Sequence, residues 1–144
     1  LPKEFSADAC FTAPDAKILI VDDNRMNRRV FTALLKRTQV QVTQAQSGME
    51  ALDLTREQRF DLIFMDHLMP DMDGIETLHQ IRRERKNLCK DVPVVILTAN
   101  AVVGAKEGYL AEGFDAYLAK PIESAKLETL IRECLPSKKI KAGA

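Results

Sequence analysis

Five short runs of apolar, largely β-branched residues alternate along the chain with longer segments in which apolar residues recur at helical spacing. The runs, each predicted to be a strand, are KILIV at 17–21, VQVTQA at 40–45, DLIFM at 61–65, VPVVILT at 92–98 and AYLA at 116–119. Four of them are almost continuously apolar, which is typical of strands covered on both faces. The alternation predicts a parallel sheet with right-handed crossovers and helices on both sides.

The longer segments carry the apolar spacing of amphipathic helices. Residues that share one helix face are Met26, Val30, Ala33 and Leu34 in the first segment, Ile75, Leu78 and Ile81 in the third, and Leu127, Leu130, Ile131 and Cys134 in the last. Ser47 and Gly48 open the second helix, and the fourth segment carries Gly104, Gly108 and Gly113. Because each Gly inside a helix costs about 1 kcal/mol relative to Ala, we expect the fourth helix to be the least stable, with Gly113 as its C-cap.

The length of 144 residues predicts a single domain. Residues 1–16 lack a clean period and contain two prolines, so they are expected to be a linker or tail. The strand and helix pattern assigns residues 17–135 to the domain. Residues 136–144 are expected to form a C-terminal tail with a basic, frayed end.

Composition narrows the classes of function. Lysine and arginine number 21, aspartate and glutamate also number 21, and the formal net charge is +0, which argues against nucleic-acid contact. No apolar run approaches the roughly 18–20 residues of a membrane span, so we expect no membrane contact by this domain. The widely spaced Cys10, Cys89 and Cys134 argue against a disulfide framework or zinc site and favour a cytoplasmic location.

Charged and hydroxyl side chains stand at the ends of four predicted strands. Asp22 and Asp23 follow the first strand, Asp66 follows the third, Thr98 ends the fourth and Lys120 follows the fifth. Because the carboxyl ends of parallel strands meet at one crevice, we expect these side chains to lie close together. Three carboxylates facing one ammonium leave an excess of negative charge. Hard oxygen ligands of this kind suit Mg²⁺, and a carboxylate on the middle strand can act as a nucleophile that forms an acyl phosphate.

The segments around these residues resemble the receiver domains of bacterial two-component signalling. The matching motifs are ILIVDDN at 18–24, FDLIFMDHLMPDMDG at 60–74, VVILTANA at 94–101 and GFDAYLAKPI at 113–122. The resemblance extends from Lys17 to about Leu135. It implies an α/β fold of the flavodoxin-like, doubly wound type, with five helices and five parallel strands in the order 2-1-3-4-5, as in flavodoxin and the chemotaxis receiver.

The resemblance also implies roles for the residues at the crevice. Asp66 would accept a phosphoryl group from a phosphohistidine on a histidine kinase or a histidine phosphotransfer domain. Mg²⁺ would be held by Asp22, Asp23, Asp66 and the backbone carbonyl of Leu68, with Asp23 as the more direct ligand of the acid pair. Lys120 would contact the phosphoryl group.

Further residues would convert phosphorylation into a change of surface. The resemblance makes Thr98 the switch hydroxyl and Tyr117 the switch aromatic, which together alter the face of the fourth helix, fifth strand and fifth helix. The bond between Lys120 and Pro121 is expected to be cis. Leu68 and Asn100 would set the lifetime of the phosphate, and since Leu68 cannot orient a water molecule, we expect slow self-hydrolysis.

The motifs MDHLMPDMDG, LTANA and YLAKPI resemble receivers attached to hybrid histidine kinases more than those attached to DNA-binding regulators. We therefore expect the chain to be a piece of a longer protein, whose parent would be a sensor kinase with transferase activity and a possible membrane anchor. The sequence does not decide whether the chain forms a homodimer through the face of the fourth helix, fifth strand and fifth helix. Arg25, Arg28 and Arg29 open the first helix, which in this family meets the histidine bundle, so they are either docking residues or a solvated face.

Two other functions are weighed against the phosphoacceptor. An interaction module with the receiver fold would work without phosphorylation, but such receivers lose acidic or lysine residues, and none is lost here. A magnesium-dependent phosphohydrolase would usually carry a second acid two residues after its nucleophile, where this chain has Leu68. His67 directly follows Asp66, and its side chain either covers part of the crevice or faces solvent.

Overall fold

The computed structural model describes residues 11–99 and 104–142 of the chain. Its strands are β1 (Phe11–Thr12), β2 (Lys17–Val21), β3 (Gln41–Ala45), β4 (Leu62–Asp66), β5 (Val94–Thr98), β6 (Ala116–Ala119) and β7 (Lys141–Ala142). Its α-helices are α1 (Arg25–Leu34), α2 (Gly48–Glu57), α3 (Gly74–Arg83), α4 (Ala105–Glu112) and α5 (Ser124–Cys134). Short 3-10 turns lie at Lys36–Thr38 and Ser137–Lys139.

Five of the strands form one parallel sheet in the order β3-β2-β4-β5-β6. Since β1 lies outside this sheet, the order is the expected 2-1-3-4-5, and the flavodoxin-like fold is confirmed. The central pairings align Val21 with Met65 and Asp66 with Leu97. The carboxyl ends of β2, β4 and β5 therefore lie side by side, which is where the sequence places its acids and its threonine.

Alternation along the strands divides the core into two layers, because successive side chains of a strand point to opposite faces of the sheet. Leu19, Ile63 and Ile96 pack beneath α2, α3 and α4. Ile20 and Phe64 pack on the other face, beneath α1 and α5. The three central strands, β2, β4 and β5, are thus covered on both sides, as their nearly continuous apolar sequences predict. Within residues 11–99 and 104–142, no helix is both long and apolar enough to cross a membrane.

Helix α1 turns a different face to the core from the one that its apolar spacing favours. Met26 is 61% exposed and Val30 is 48% exposed, whereas Phe31 is fully buried and its ring lies 4.9 Å from that of Phe64. Leu35, directly after the helix, is also buried. The physical reason is that α1 carries two apolar faces, and the larger aromatic side chain gains more from burial.

The helices that frame the crevice begin at residues suited to their places. Asn24 caps α1 by accepting a hydrogen bond from the Asn27 backbone at 3.0 Å, and Asp73 caps α3 by accepting one from the Glu76 backbone at 2.8 Å. At Gly74 a Cβ atom would lie 2.2 Å from the backbone oxygen of Asp66. Glycine therefore lets α3 start directly against the end of β4.

The flanking segments are more ordered than the sequence suggests. Strands β1 and β7 form an antiparallel ribbon that pairs Phe11 with Ala142, and Phe11 is buried. Lys139 binds both carboxylate oxygens of Asp61, at 2.9 and 3.0 Å. The expectation of a frayed end at residues 137–144 was therefore wrong for residues 137–142, because the buried Phe11 side chain and this ion pair hold the segment in place. The division into linker, domain and tail stays a prediction.

Candidate functional site

Three carboxylates meet at the carboxyl edge of the sheet, as the sequence predicts. Asp22, Asp23 and Asp66 each offer an oxygen, and these oxygens lie within 4.8 Å of one another. Asp22 and Asp66 are only 1% and 6% exposed, whereas Asp23 is exposed to solvent. The cluster forms because β2 and β4 are hydrogen-bonded neighbours that end at the same level.

One ammonium group faces this cluster. The Nζ atom of Lys120 lies 2.9 Å from Oδ1 of Asp66 and 3.4 Å from Oδ2 of Asp22. The backbone amide of Lys120 donates a hydrogen bond to the carbonyl of Thr98 at 2.9 Å, which fixes the loop after β6. The bond between Lys120 and Pro121 is cis, as expected.

The charges of the site are not balanced. Burial raises the pKa of the Asp66 carboxyl above its ordinary value, and the charges of Asp22 and Asp23 raise it further, although the hydrogen bond from Lys120 lowers it. Burial lowers the pKa of Lys120, but the hydrogen bond to Asp66 and the charges of Asp66 and Asp22 outweigh burial and raise it overall. The pKa of Asp66 is thus raised first by burial and then by its acidic neighbours, whereas the pKa of Lys120 is raised by the negative charge around it.

Backbone and amide donors hold Asp22 in place. The backbone N–H of Asn24 donates to Oδ1 of Asp22 at 2.8 Å, and the side-chain amide of Asn27 donates to Oδ2 at 3.3 Å. The guanidinium of Arg28 donates to the backbone carbonyl of Asp22 at 2.8 Å. Sequence reasoning missed Asn27 as a site residue. Its position in the first turn after the acid pair is the signal that could have indicated it.

The donor set of the crevice fits Mg²⁺. Carboxylate oxygens that face one another, with one acid open to solvent, match the preference of this ion for few protein oxygens and several waters. Lys120 supplies one positive charge to this pair of buried carboxylates. Two carboxylates about 4 Å apart repel by roughly 4 kcal/mol at an effective dielectric near 20, so a second cation would relieve the repulsion that remains. The residues that could hold the ion are therefore Asp22, Asp23 and Asp66.

Thr98 is brought to the crevice but also takes part in a contact that the sequence did not indicate. It ends β5, next to the end of β4, and is buried. Its hydroxyl lies 2.9 Å from the hydroxyl of Tyr109 on α4, which in turn lies 3.2 Å from Nδ1 of His67. His67 is thus half-buried against Tyr109, with their rings edge to face.

The other predicted site residues lie farther from the acids or outside the described part of the chain. Tyr117 is half-buried on β6 and packs against the core layer beneath α2, α3 and α4. The side chain of Leu68 is 75% exposed beside the crevice. Asn100 lies outside the described residues. A groove of about 570 Å³ between β6 and α5 is lined in part by Tyr117, Lys120 and Leu130.

Comparisons with known proteins agree with this geometry. A sequence model of the response regulator receiver domain matches residues 18–132 of the chain. The chain is 40% identical over 122 residues to the signal transduction histidine-protein kinase BarA of Shigella flexneri, with 83% of this chain and 13% of BarA covered. It is 33% identical over 118 residues to the polar-differentiation response regulator DivK of Brucella ovis, with 82% of this chain and 94% of DivK covered.

A solved structure gives the same picture in three dimensions. The receiver domain of the sensor histidine kinase PA1611 from Pseudomonas aeruginosa PAO1 superposes with a TM-score of 0.73 at 35% sequence identity. The match covers 83% of this chain and 96% of that domain. That structure has a magnesium ion coordinated in its active site cleft. The chain therefore spans nearly all of one-domain relatives but only a small part of the kinase BarA.

Proposed function

Because the chain belongs to the response regulator receiver domain family, we propose that it is a phosphoacceptor in a two-component phosphorelay, with Asp66 as the residue that is phosphorylated. One observation carries this proposal: the buried Asp66 carboxylate lies among two further acids and is bound by Lys120 at 2.9 Å. A structural ion pair would need one acid for one lysine. The two further acids fit a site that binds a cation and handles a phosphoryl group.

In the proposed reaction, a carboxylate oxygen of Asp66 attacks the phosphorus of a phosphohistidine in line with the bond that breaks. The new bond joins Asp66 oxygen to phosphorus. The bond between phosphorus and the imidazole nitrogen breaks, and the imidazole leaves with the electron pair. Lys120 orients the carboxylate before attack and afterwards neutralises part of the charge on the acyl phosphate.

Mg²⁺ belongs to this proposal as the cofactor, held by Asp22, Asp23 and Asp66 together with the backbone carbonyl of Leu68. When bound, it supplies positive charge that offsets the phosphoryl oxygens during transfer. The residues around Asp22 do the positioning: the backbone of Asn24 and the side chain of Asn27 hold both of its carboxylate oxygens.

The proposed partner is a histidine kinase or a histidine phosphotransfer domain that docks on α1. The exposed face of α1 presents Met26 and Val30 next to the exposed Arg25 and Arg29, so it combines apolar area with positive charge. An exposed apolar patch rimmed by charge is typical of a protein-binding surface. Leu68 extends the apolar surface at the mouth of the crevice, where the phosphohistidine must enter.

Hybrid-kinase origin is the finer part of the proposal, and a cytoplasmic location goes with it. It is supported by the 40% identity to BarA, of which the chain matches 13% of the length. The reading frame of the full gene tests it: a histidine kinase catalytic domain on the same chain supports this origin, and a DNA-binding effector domain contradicts it.

Mass measurement after incubation with acetyl phosphate and Mg²⁺ tests the central assignment. We expect the unmodified chain to gain the mass of one phosphoryl group and the Asp66→Asn variant to gain none. A matched control is Asp71→Asn, which removes an exposed acid after β4 that lies outside the cluster. Phosphorylation that persists in Asp66→Asn contradicts the assignment of Asp66. No phosphorylation of the unmodified chain favours the interaction module that works without a phosphate.

The lifetime of the acyl phosphate is a second measurable property. Leu68 is apolar and cannot orient an attacking water, so the slow self-hydrolysis expected from the sequence stays part of the proposal. Replacing Leu68 by a polar residue such as Gln should shorten the lifetime measured by loss of the added mass. An unchanged or longer lifetime in Leu68→Gln would contradict this role.

A further inference from the structure

Helix α4 is attached to the rest of the domain by few side chains, chiefly the buried Tyr109 and a contact of 3.0 Å between Glu112 and His79 of α3. It has eight residues, and the residue that precedes it, Gly104, adopts a φ of 91° and provides no side-chain cap. Gly108 lies on its exposed side. Among the described residues of this helix, Tyr109 is the buried one. The position of α4 therefore depends strongly on what Tyr109 contacts.

Tyr109 is bound through both its ring and its hydroxyl. Its ring meets those of His67 and Phe114 edge to face, with centroids 5.5 and 6.3 Å away. Its hydroxyl lies between the hydroxyl of Thr98, at 2.9 Å, and Nδ1 of His67, at 3.2 Å. Thr98 can donate to Tyr109 while Tyr109 donates to a neutral His67, so both contacts can be hydrogen bonds at once.

A turn of the Thr98 hydroxyl toward a phosphoryl group on Asp66, which the resemblance to receiver domains implies, would break this contact. Thr98 is β-branched, and its hydroxyl changes direction by moving between staggered positions about 120° apart. A rotation that exchanges the positions of hydroxyl and methyl removes the hydrogen bond to Tyr109. Because a buried hydroxyl without a partner is unfavourable, His67 becomes the group that keeps the Tyr109 hydroxyl satisfied.

We propose that Tyr109 is a positioning residue that holds Thr98 in its unphosphorylated orientation and couples its release to the movement of α4. This inference rests on the proposed function, since it concerns how the same site is regulated. Phosphorylation draws the Thr98 hydroxyl away. Tyr109, the one buried side chain among the described residues of α4, then loses one of its two hydrogen bonds, and the helix loosens. Tyr117 on β6 is then the second aromatic residue of the switch rather than its sole one.

Binding of beryllofluoride with Mg²⁺, a stable mimic of the acyl phosphate, measures this coupling. Tyr109→Phe keeps the ring contacts and removes the hydroxyl. The bond to His67 is then lost in both states, whereas the bond to Thr98 is lost only from the unphosphorylated state, so the variant weakens that state more. We expect beryllofluoride to bind this variant about two- to tenfold more tightly, which is the effect of one net hydrogen bond. Lys106→Gln, an exposed change on the same helix, should bind it as the unmodified chain does.

A double-mutant cycle separates coupling from general damage. In a Thr98→Val background, Tyr109→Phe should leave beryllofluoride affinity unchanged, because the bond it removes is already absent. General damage to the fold would instead weaken binding in both backgrounds. Unchanged or weaker binding by Tyr109→Phe, or tighter binding that persists with Thr98→Val, overturns the inference.

Amide hydrogen exchange of the unmodified protein gives a test without any substitution. Exchange within Ala105–Glu112 should become faster when beryllofluoride is added, and unchanged or slower exchange overturns the inference. If the unmodified chain binds no beryllofluoride at all, the proposed function itself fails. If it binds and neither Tyr109→Phe nor exchange responds as expected, only the coupling through Tyr109 fails.

Discussion

The carboxylate of Asp66 combines burial, two acidic neighbours and one lysine within a few ångströms. Burial and the charges of Asp22 and Asp23 raise its pKa, and the hydrogen bond from Lys120 only partly offsets them. The ionised form of this carboxyl is therefore less favourable in the folded protein than in the unfolded chain. Shifted pKa values of this kind cluster at functional sites, which agrees with the role proposed for Asp66.

Replacing Asp66 by Asn should stabilise the metal-free protein at neutral pH. Folding raises the pKa of Asp66, so between the ordinary and the raised pKa the folded state binds more protons than the unfolded state. The contribution of this group to the free energy of unfolding therefore falls as the pH rises through that window. The gain from Asp66→Asn should be full above the raised pKa and vanish below the ordinary one. Urea unfolding in the presence of a chelator, at a series of pH values, measures it.

The same experiment has an internal control. Asp71→Asn removes an exposed acid and should change the free energy of unfolding little at any pH. Destabilisation by Asp66→Asn at neutral pH, or a gain that grows as the pH falls, would show that Asp66 is held in place by Lys120 more strongly than it is repelled by its acidic neighbours.

Single residues of the site differ in how far the sequence predicts them. Asp22, Asp66 and Lys120 could be placed together because each follows a strand of a parallel sheet, and the order of the strands brings their ends together. Asn27 and Tyr109 could not, because a hydrogen bond from a helix depends on how the helix is rotated about its axis. Apolar spacing fixes that rotation only coarsely.

At the scale of the element, α1 shows the limit of apolar spacing. Met26, Val30 and Ala33 have the spacing expected of a helix face that packs on the core. Phe31 and Leu35, four residues apart, fit that spacing equally well. The sequence therefore offers two candidate faces, and burial of the aromatic ring against Phe64 decides between them. The face left exposed is the one to which we assign partner binding.

Helix α4 is the element whose stability is most open to a simple test. Gly108 has open space where a Cβ atom would lie, so Gly108→Ala should stabilise the helix by about 1 kcal/mol. Gly104 also has open space but adopts a φ of 91°, so Gly104→Ala should destabilise by about 1–2 kcal/mol. Amide exchange within α4 measures both effects locally, and equal effects of the two substitutions would contradict the role given to the Gly104 backbone.

At the scale of the whole molecule, the two edges of the sheet carry different features. The acids, Thr98 and Lys120 lie at the carboxyl edge, whereas the β1–β7 ribbon and the Asp61–Lys139 ion pair lie at the opposite edge. The parallel sheet was predictable from five apolar runs. The ribbon was not, because strands of two residues carry no readable period and pair across almost the whole length of the chain.

Truncating Phe11 tests whether the ribbon supports the domain. Phe11→Ala removes a buried aromatic side chain from the core layer beneath α1 and α5 and should lower the free energy of unfolding by about 3 kcal/mol. Phosphorylation of Asp66 by acetyl phosphate should continue, since the acids lie at the other edge of the sheet. Met49→Ala, which truncates a half-exposed side chain, should cost less than about 0.5 kcal/mol. If Phe11→Ala lowered the free energy of unfolding by no more than Met49→Ala does, the stabilising role of the ribbon would be contradicted.

The ribbon also determines how the domain would respond to mechanical force. Its strands run antiparallel, with Phe11 opposite Ala142 and Thr12 opposite Lys141. Tension applied to residues beyond both strands would open the ribbon like a zipper, one residue pair after another. The five-stranded sheet would bear load only after the ribbon had come apart, so the acidic crevice would not be affected by the first extension of the chain.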